Sequence, residues 1–430
     1  MENNENIKEI CKNLMENKNF ENLNFDYVAF SFQNSKVEDI QYSGLLNAEI
    51  NKIQKELHMV KYNNPVFCKI IHQNRELSFN IEDMDHFAKN FSEIFAEKSK
   101  EIINIPQDKD STIPNSENII AQDSNIFTTD LSRNQIVEII TKEIQKYNKN
   151  FLVEIGITDK LKNSSQFVNS FGFNYEIDNL YTTVTLSLVF EQDGKKYTKY
   201  NGWKMNKDTN LKEKTQETVD SILLQIGAKP ISGEFPCIID KNIASYFISE
   251  ILNSLEGENI NCGNSFFKNM ENQQIMYSSI NIISKPHSEF GNFSYSSEGI
   301  QNKEFFAVES GVLKNFFMNS RYGRKFNKPV QISTSIFVEA QEDSKFDLGS
   351  FKDGFVITDV ISGDLNAVTG DFKASITGYI LENNRKIPVN NVVMSYSLHD
   401  LKEMKICNDK PDKESGFSCS SLFFPNIKIS

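Results

Sequence analysis

From residue 275 onward the apolar residues arrive in short runs, Ile275 to Ile283, Val330 to Val338, Phe355 to Ile361 and Phe372 to Leu381, punctuated by Gly and polar turn residues. Short runs rich in Ile, Val and Phe fit strands better than helices, because a helix needs a longer segment with one apolar stripe. One helical pattern, near Asn242 to Leu255, precedes them. The region 227–430 is therefore expected to be a β-rich domain, either a curved antiparallel sheet or an open barrel.

The residues before Gly227 read differently. A chain of 430 residues and 49.3 kDa exceeds what one hydrophobic core usually fills, so two or three domains are expected. Residues 1–103 read as an α/β unit in the order helix, strand, helix, strands, helix. Phe25 to Phe32 is rich in β-formers, Val66 to Ile71 and Leu77 to Ile81 suggest a hairpin, and Met84, Phe87, Ala88, Phe91, Ile94 and Phe95 recur at helical spacing. Periodicity stops over 104–130, which holds Pro106, Pro114 and many polar residues, so this stretch reads as a linker or long loop. Residues 131–226 form a second α/β unit. Ser132 followed by Gln135 is a helix-start signal, Asp193-Gly194 joins two alternating runs as a hairpin, and a helix over Thr215 to Ile226 stops at Gly227. The whole is an α+β chain: mixed sheet and helices first, a β-rich domain after.

Charge and cysteine usage narrow the functional classes. A net charge of -12 argues against a nucleic-acid surface, which needs clustered cations to displace counterions. The densest basic stretch, Arg321 to Lys328, has four cations in eight residues and reads as a solvated loop between strands. None of the six Cys stands in a C-x-x-C pair, so zinc ribbons and thioredoxin-like redox sites are disfavoured; Cys68 and Cys237 look like small core residues. The opening MENNENIKEICKNLMENKNF lacks a basic region followed by an apolar one. No apolar run approaches the roughly 18 residues a membrane helix needs, and a cytoplasmic protein with no membrane partner is expected.

The five histidines, His58, His72, His86, His287 and His399, are followed by Met, Gln, Phe, Ser and Asp. A helix-borne zinc site needs two His about one turn apart and usually an adjacent Glu to activate water. The nearest His here are fourteen residues apart, so no catalytic or metal-ligating residue is assigned. Phosphate-binding glycine loops and the G-x-S-x-G nucleophile elbow are likewise missing from the sequence. Three polar clusters remain. Ser294 to Gly299 (SYSSEG) presents Glu298 before Gly299 on a turn, more simply a solvated turn. Ser362 to Ser375 (SGDLNAVTGDFKAS) carries Asp364, Asn366, Thr369, Gly370 and Asp371, and reads as strand-turn-strand rather than a calcium loop. Val168 to Phe173 (VNSFGF) reads as a bulge or hairpin.

Taken in order, GAKPISGEFPCIIDKNIASYFI, GNSFF, the SSEG turn, ESGVLKNFFMNSRYGRKFN and DGFVITDVISGDLNAVTGDFKASITGYILENNRKIPVNNV resemble the carboxy-terminal domain of the TldD/PmbA family, also called the modulator of DNA gyrase family. VNSFG resembles a step in that family's middle domain. The resemblance covers 227 to about 408 well, the middle weakly and residues 1–130 hardly at all. It implies a peptidase system in which a TldD-type subunit carries a His-Glu-x-x-x-His zinc motif and a PmbA/TldE-type subunit lacks it. The histidine census places this chain with the second type. The expectation is a subunit without its own cofactor, zinc being held by a TldD-like partner, and an extended or unfolded peptide as substrate of the pair. Glu298, Gly299, Asp364, Asn366, Thr369, Gly370 and Asp371 are the family-motif positions where a peptide groove could lie. A turn that in relatives reads Asp-Asp-Glu-Gly is here Ser296, Ser297, Glu298 and Gly299, which weakens any role for paired acids there. The alternatives are a stand-alone hydrolase with dispersed groups, such as Cys262 or Cys407 with His287 or His399, or a peptide-binding or regulatory module without a peptidase partner.

Overall fold

A computed structural model describes residues 25–47, 51–63, 66–107, 119–414 and 416–430. The helix expected at the amino terminus, Cys11 and residues 108–118 of the expected linker lie outside the described residues.

Eight strands before residue 205 form one sheet: β1 (Tyr27–Leu46), β2 (Asn51–Asn63), β3 (Val66–His72), β4 (Arg75–Ile81), β5 (Ile120–Phe127), β6 (Phe151–Asn169), β7 (Asn174–Gln192) and β8 (Lys195–Lys204). Long antiparallel β1, β6 and β7 make its spine. Near one end β3 and β4 flank β1, and β5 runs parallel to β7; near the other, β2 and β8 take those places. Each end has its own core. Helices α1 (Met84–Lys89) and α2 (Phe91–Ile103) bury Phe87, Phe95 and Ile102 against Phe30 and Ile70. Helices α3 (Arg133–Gln145) and α4 (Leu211–Leu223) bury Ile140 and Val219 against Ile155 and Leu186. Strand registers shift between Lys36 and Val37 and between Lys160 and Asn163, where one end gives way to the other. The segments 1–103 and 131–226, read as separate units, thus share a sheet, because β1 is long enough to serve both cores.

Local signals hold where the chemistry is local. Ser132 and Gln135 cap α3 reciprocally, and Asp193 and Gly194 turn between β7 and β8 with φ of 54° and 71°. The linker reading fails over Ile120–Phe127, which is β5. Its one fully buried side chain is Asn125, so no apolar face announces a strand.

The remaining elements are β9 (Gly233–Ile239), α5 (Lys241–Asn253), α6 (Gly257–Cys262), β10 (Ile280–Lys285), β11 (His287–Ser288), β12 (Gly291–Asn292), β13 (Phe305–Glu309), β14 (Val312–Leu313), α7 (Ser320–Lys325), β15 (Ser335–Ala340), β16 (Gly354–Asn366), β17 (Asp371–Glu382), β18 (Arg385–Ser397), β19 (Lys405–Ile406), β20 (Asp412–Glu414), β21 (Phe417–Cys419) and β22 (Leu422–Ile429). Strands β18, β17, β16, β9 and β22 follow one another, and Met394 and Ser395 of β18 pair with Ile429 and Lys428 of β22. The barrel is therefore closed rather than open, and β16 runs parallel to β9. α5 packs against it through Phe247, whose ring lies 5.2 Å from Phe372. A second sheet, in the order β14-β13-β10-β15-β21-β20, shares the same core. The basic stretch at Arg321 is not a loop: the Asn319 side chain accepts from Tyr322 N and starts α7. No helix among the described residues is long and apolar enough to cross a membrane.

Candidate functional site at the junction of sheet and barrel domain

β5 pairs with β7 along one side; along its other side runs the segment Glu289 to Tyr295. Side chains, rather than a backbone ladder, join the two. Asn125 Oδ1 accepts from Asn292 N (2.6 Å) and its Nδ2 donates to Asn292 O (3.2 Å). Asp123 Oδ2 accepts from Ser294 N (2.6 Å) and from the Tyr175 hydroxyl (2.6 Å), and Oδ1 from Ser294 Oγ (2.8 Å). The Tyr295 ring packs edge-on against Tyr175 (5.6 Å) and Phe173 (6.0 Å). Gly291 has φ +130°, and a Cβ there would sit 3.0 Å from the Asn125 carboxamide, so the close approach needs glycine. Burial opposes the Asp123 charge, yet these three hydrogen bonds, aided by His287, hold its carboxyl below the usual range.

At one end of this seam lies Glu298. Gly299 (φ +78°) completes a turn in which Ser296 Oγ accepts from Glu298 N and Ile300 N. Glu298 Oε2 accepts from Ser320 N (3.0 Å), so the carboxylate anchors the start of α7 and is not solvated as the simple turn reading had it. Tyr27 connects this turn to VNSFG, which is the hairpin between β6 and β7. Its phenol, pushed up chiefly by burial, is hydrogen-bonded to Asn169 and feels the Glu298 charge. Two motifs far apart in sequence thus lie near the same phenol. Nearby, a cleft of about 400 Å³ is lined by Glu256, Glu258, Asn319 and Tyr322. Desolvation, with Glu258 beside it, pushes the Glu256 carboxyl up to about 7, although more than a third of the residue is exposed, which damps the consequence.

The other motif positions are elsewhere, on the barrel. Asn366 Oδ1 accepts from Val368 N and Thr369 N (3.1 Å each), the Thr369 hydroxyl donates to Asp371 (2.7 Å), and Gly370 (φ +78°) lies under the Phe266 ring, which His399 also meets at 4.7 Å. These are the bonds of a strand-turn-strand. Asp364 is placed beside Tyr246 and Glu250 of α5; burial first, then Asp364, raises Glu250. No hydrogen bond or ion pair among the described residues links this hairpin to Glu298.

At the far end of β5 is an interdomain cleft of about 570 Å³, with Phe127, Phe290 and Pro411 among its apolar walls. Two ion pairs fasten it: Lys214 to Asp412 (3.2 Å) and Lys413 to Glu289 (2.9 Å). Lys204 lies 3.9 Å from the Phe127 ring centroid. Glu217 faces the cleft half-buried, with no ion pair or hydrogen bond recorded for it among the described residues. Desolvation raises its carboxyl, and the cations Lys214 and Lys241 offset this only in part. Sequence reasoning missed this cleft, whose walls come from five separate stretches of chain. The sole local hint was Glu213 and Glu217 one helical turn apart.

Among the described residues, no three or more His, Cys, Asp and Glu side chains are grouped so as to hold a metal ion. His72 is on β3, His86 on α1, His287 on β11 and His399 after β18, while the His58 side chain lies outside the described residues. Cys68 and Cys237 are core residues. Cys262 is exposed; Cys407 is buried and its thiol is pushed up by that burial, which disfavours the nucleophilic thiolate. Neither thiol is hydrogen-bonded to a histidine among the described residues.

Residues 232–430 match the model of the PmbA/TldA metallopeptidase C-terminal domain. The chain is 24% identical over 238 residues to a metalloprotease PmbA homolog of Buchnera aphidicola, covering 52% of each, and 22% identical over 212 residues to a zinc metalloprotease TldD homolog of Saccharolobus solfataricus, covering 44% of this chain and 47% of that one. It spans about half the length of these curated relatives. Among solved structures it is similar to a modulator of DNA gyrase from Bacteroides thetaiotaomicron (TM-score 0.78, 16% identity, 98% of both chains). It is also similar to TldE from Thermococcus kodakarensis (TM-score 0.72, 14% identity, 98% of this chain and 100% of that one). At such identities these two structures speak to the fold.

Proposed function

We propose, from the match of residues 232–430 to the PmbA/TldA metallopeptidase C-terminal domain, that the chain is a PmbA/TldE-like, non-catalytic cytoplasmic subunit of a zinc peptidase complex. A TldD-like partner would hold the zinc, and the pair would act on extended or unfolded peptides. The observation that carries the reading is the histidine census: no His precedes a Glu, and no two stand within a helical turn. Among the described residues, no group of three or more His, Cys, Asp and Glu is placed to hold a metal ion. The barrel cluster nearest to a ligand set, Glu250 with Asp364, is two carboxylates and a phenol without an imidazole or thiolate. The likeness to TldE in fold supports the subunit type.

Strand addition to a sheet edge remains an attractive way to hold peptides of many sequences. However, the β5 edge is covered by this chain's own segment Glu289 to Tyr295, which leaves the cleft beyond Phe127 as the open part of the junction. The test is copurification with a His-Glu-x-x-x-His paralogue from the same genome. The expected result is a stable complex with chelator-sensitive peptidase activity that neither chain shows alone. Peptidase activity of this chain by itself, surviving a chelator, overturns the reading.

A further inference from the structure

We propose that the arm 286–302, between β10 and β13, is a lid: its hairpin swings off β5 as one unit, uncovering the β5 edge and widening the 570 Å³ cleft while the hydrophobic cores stay folded.

The arm is bonded within itself. β11 and β12 form a two-stranded sheet apart from the larger sheets, and Phe293 N donates to Pro286 O (2.8 Å). Asn302 ties the hairpin's root, its N donating to Ser294 O (2.9 Å) and its Nδ2 to Phe293 O (2.8 Å). The Glu298 turn beside that root is fastened to Ser320 N, which places the pivot there. The arm adds nothing to a core: Phe290, Phe293, Tyr295 and Ile300 are half-buried, and none belongs to a core cluster among the described residues. β5 is alike, with Ile120 and Ile126 exposed.

What holds the arm to β5 is the set of bonds from Asp123 and Asn125 and the edge-on Tyr295 ring; no backbone ladder joins them among the described residues. Water replaces such bonds at small net cost. The Lys413 pair with Glu289 is solvent-exposed on both sides and adds little. Segments with few buried apolar contacts open before the rest of a fold. Glu289 and Phe290 of the arm line the cleft together with Phe127 of β5, so the swing parts its walls.

The experiment is amide hydrogen exchange of the full chain in low urea, read residue by residue. The Asn292 and Ser294 amides, bonded to Asn125 and Asp123, are expected to exchange at least about a hundred-fold faster than the core amide of Leu186, with little dependence on urea. Phe293, bonded inside the arm, should exchange more slowly than both. N125A should speed exchange at Ser294, which Asn125 does not touch, by about ten-fold. It should also raise acrylamide quenching of F127W, Trp203 being buried. Thermal unfolding near the parent temperature confirms that each variant folds; if N125A does not, D123N serves, read at Asn292. The proposal is overturned if Asn292 and Ser294 share the protection and urea slope of Leu186. It is also overturned if Phe293 exchanges as fast as they do, if Ser294 ignores N125A, or if F127W quenching does not change.

Discussion

Asp123 and Glu217 are both half-buried carboxylates where the sheet meets the barrel domain, and their surroundings push them in opposite directions. Asp123 accepts three hydrogen bonds and is held low; Glu217 accepts none that is recorded and is raised. The first makes the seam between the domains specific, because an unmatched donor on either side would cost more than a made bond returns. The second is a local cost that Lys214 and Lys241 offset only in part.

That contrast can be broken at its strong end. D123A leaves Ser294 N, Ser294 Oγ and Tyr175 OH without their acceptor and should destabilise the protein by about 2–4 kcal/mol in urea unfolding. A loss below about 0.5 kcal/mol would mean the seam contributes little. G291A forces a side chain into a φ of +130° and against Asn125; a cost of about 1–3 kcal/mol is expected in the same measurement. K199M removes the ion pair with Asp359 (2.6 Å), which ties β8 to β16, and should cost only about 0.5–1 kcal/mol, shrinking as salt is added.

At the weak end, E217Q should stabilise the free protein at pH 7 by a few tenths of a kcal/mol, roughly the scale of a surface change, because it removes a charge whose desolvation Lys214 and Lys241 offset only in part. The pH profiles of the two sites should have opposite slopes. Asp123, lowered in the fold, stabilises above its unfolded pKa of about 4, and that contribution is lost as pH falls through the lower folded value. Glu217, raised in the fold, is without penalty below its unfolded pKa of about 4.3; the penalty grows as pH rises above that value and is complete once pH passes the folded one. Urea midpoints from pH 3 to 8 test both: D123N should flatten the acid-side loss and E217Q the loss on raising pH. Parallel profiles for the two variants would contradict the assignment.

Much of the architecture was legible because its signals are local. The capping box at Ser132, the turn at Asp193-Gly194, the hairpin of β3 and β4 and the strands β16 and β17 all lie where the pattern placed them. β5 was not legible, since its inward residues are Asp123 and Asn125, polar groups that read as loop until their partners at Ser294 and Asn292 are known. α7 was hidden in a basic stretch whose cap, Asn319, is a weak local cue. Of the motif positions, Glu298 lies near enough for its charge to act on Tyr27, which is hydrogen-bonded to Asn169 of VNSFG, and Asn366, Thr369 and Asp371 bond within their own hairpin turn.

The sequence alone determined the α+β order of elements, the β-rich carboxy-terminal half and the want of a paired-histidine zinc motif, because each depends on residues within a turn or two of one another. Tertiary structure decided that β1 serves two cores, that β18 and β22 close the barrel, and that Glu217, Lys241 and Lys410 line one cleft. Those outcomes depend on which backbone and charged groups are left to pair after distant segments pack, and no local pattern of residue types encodes that remainder.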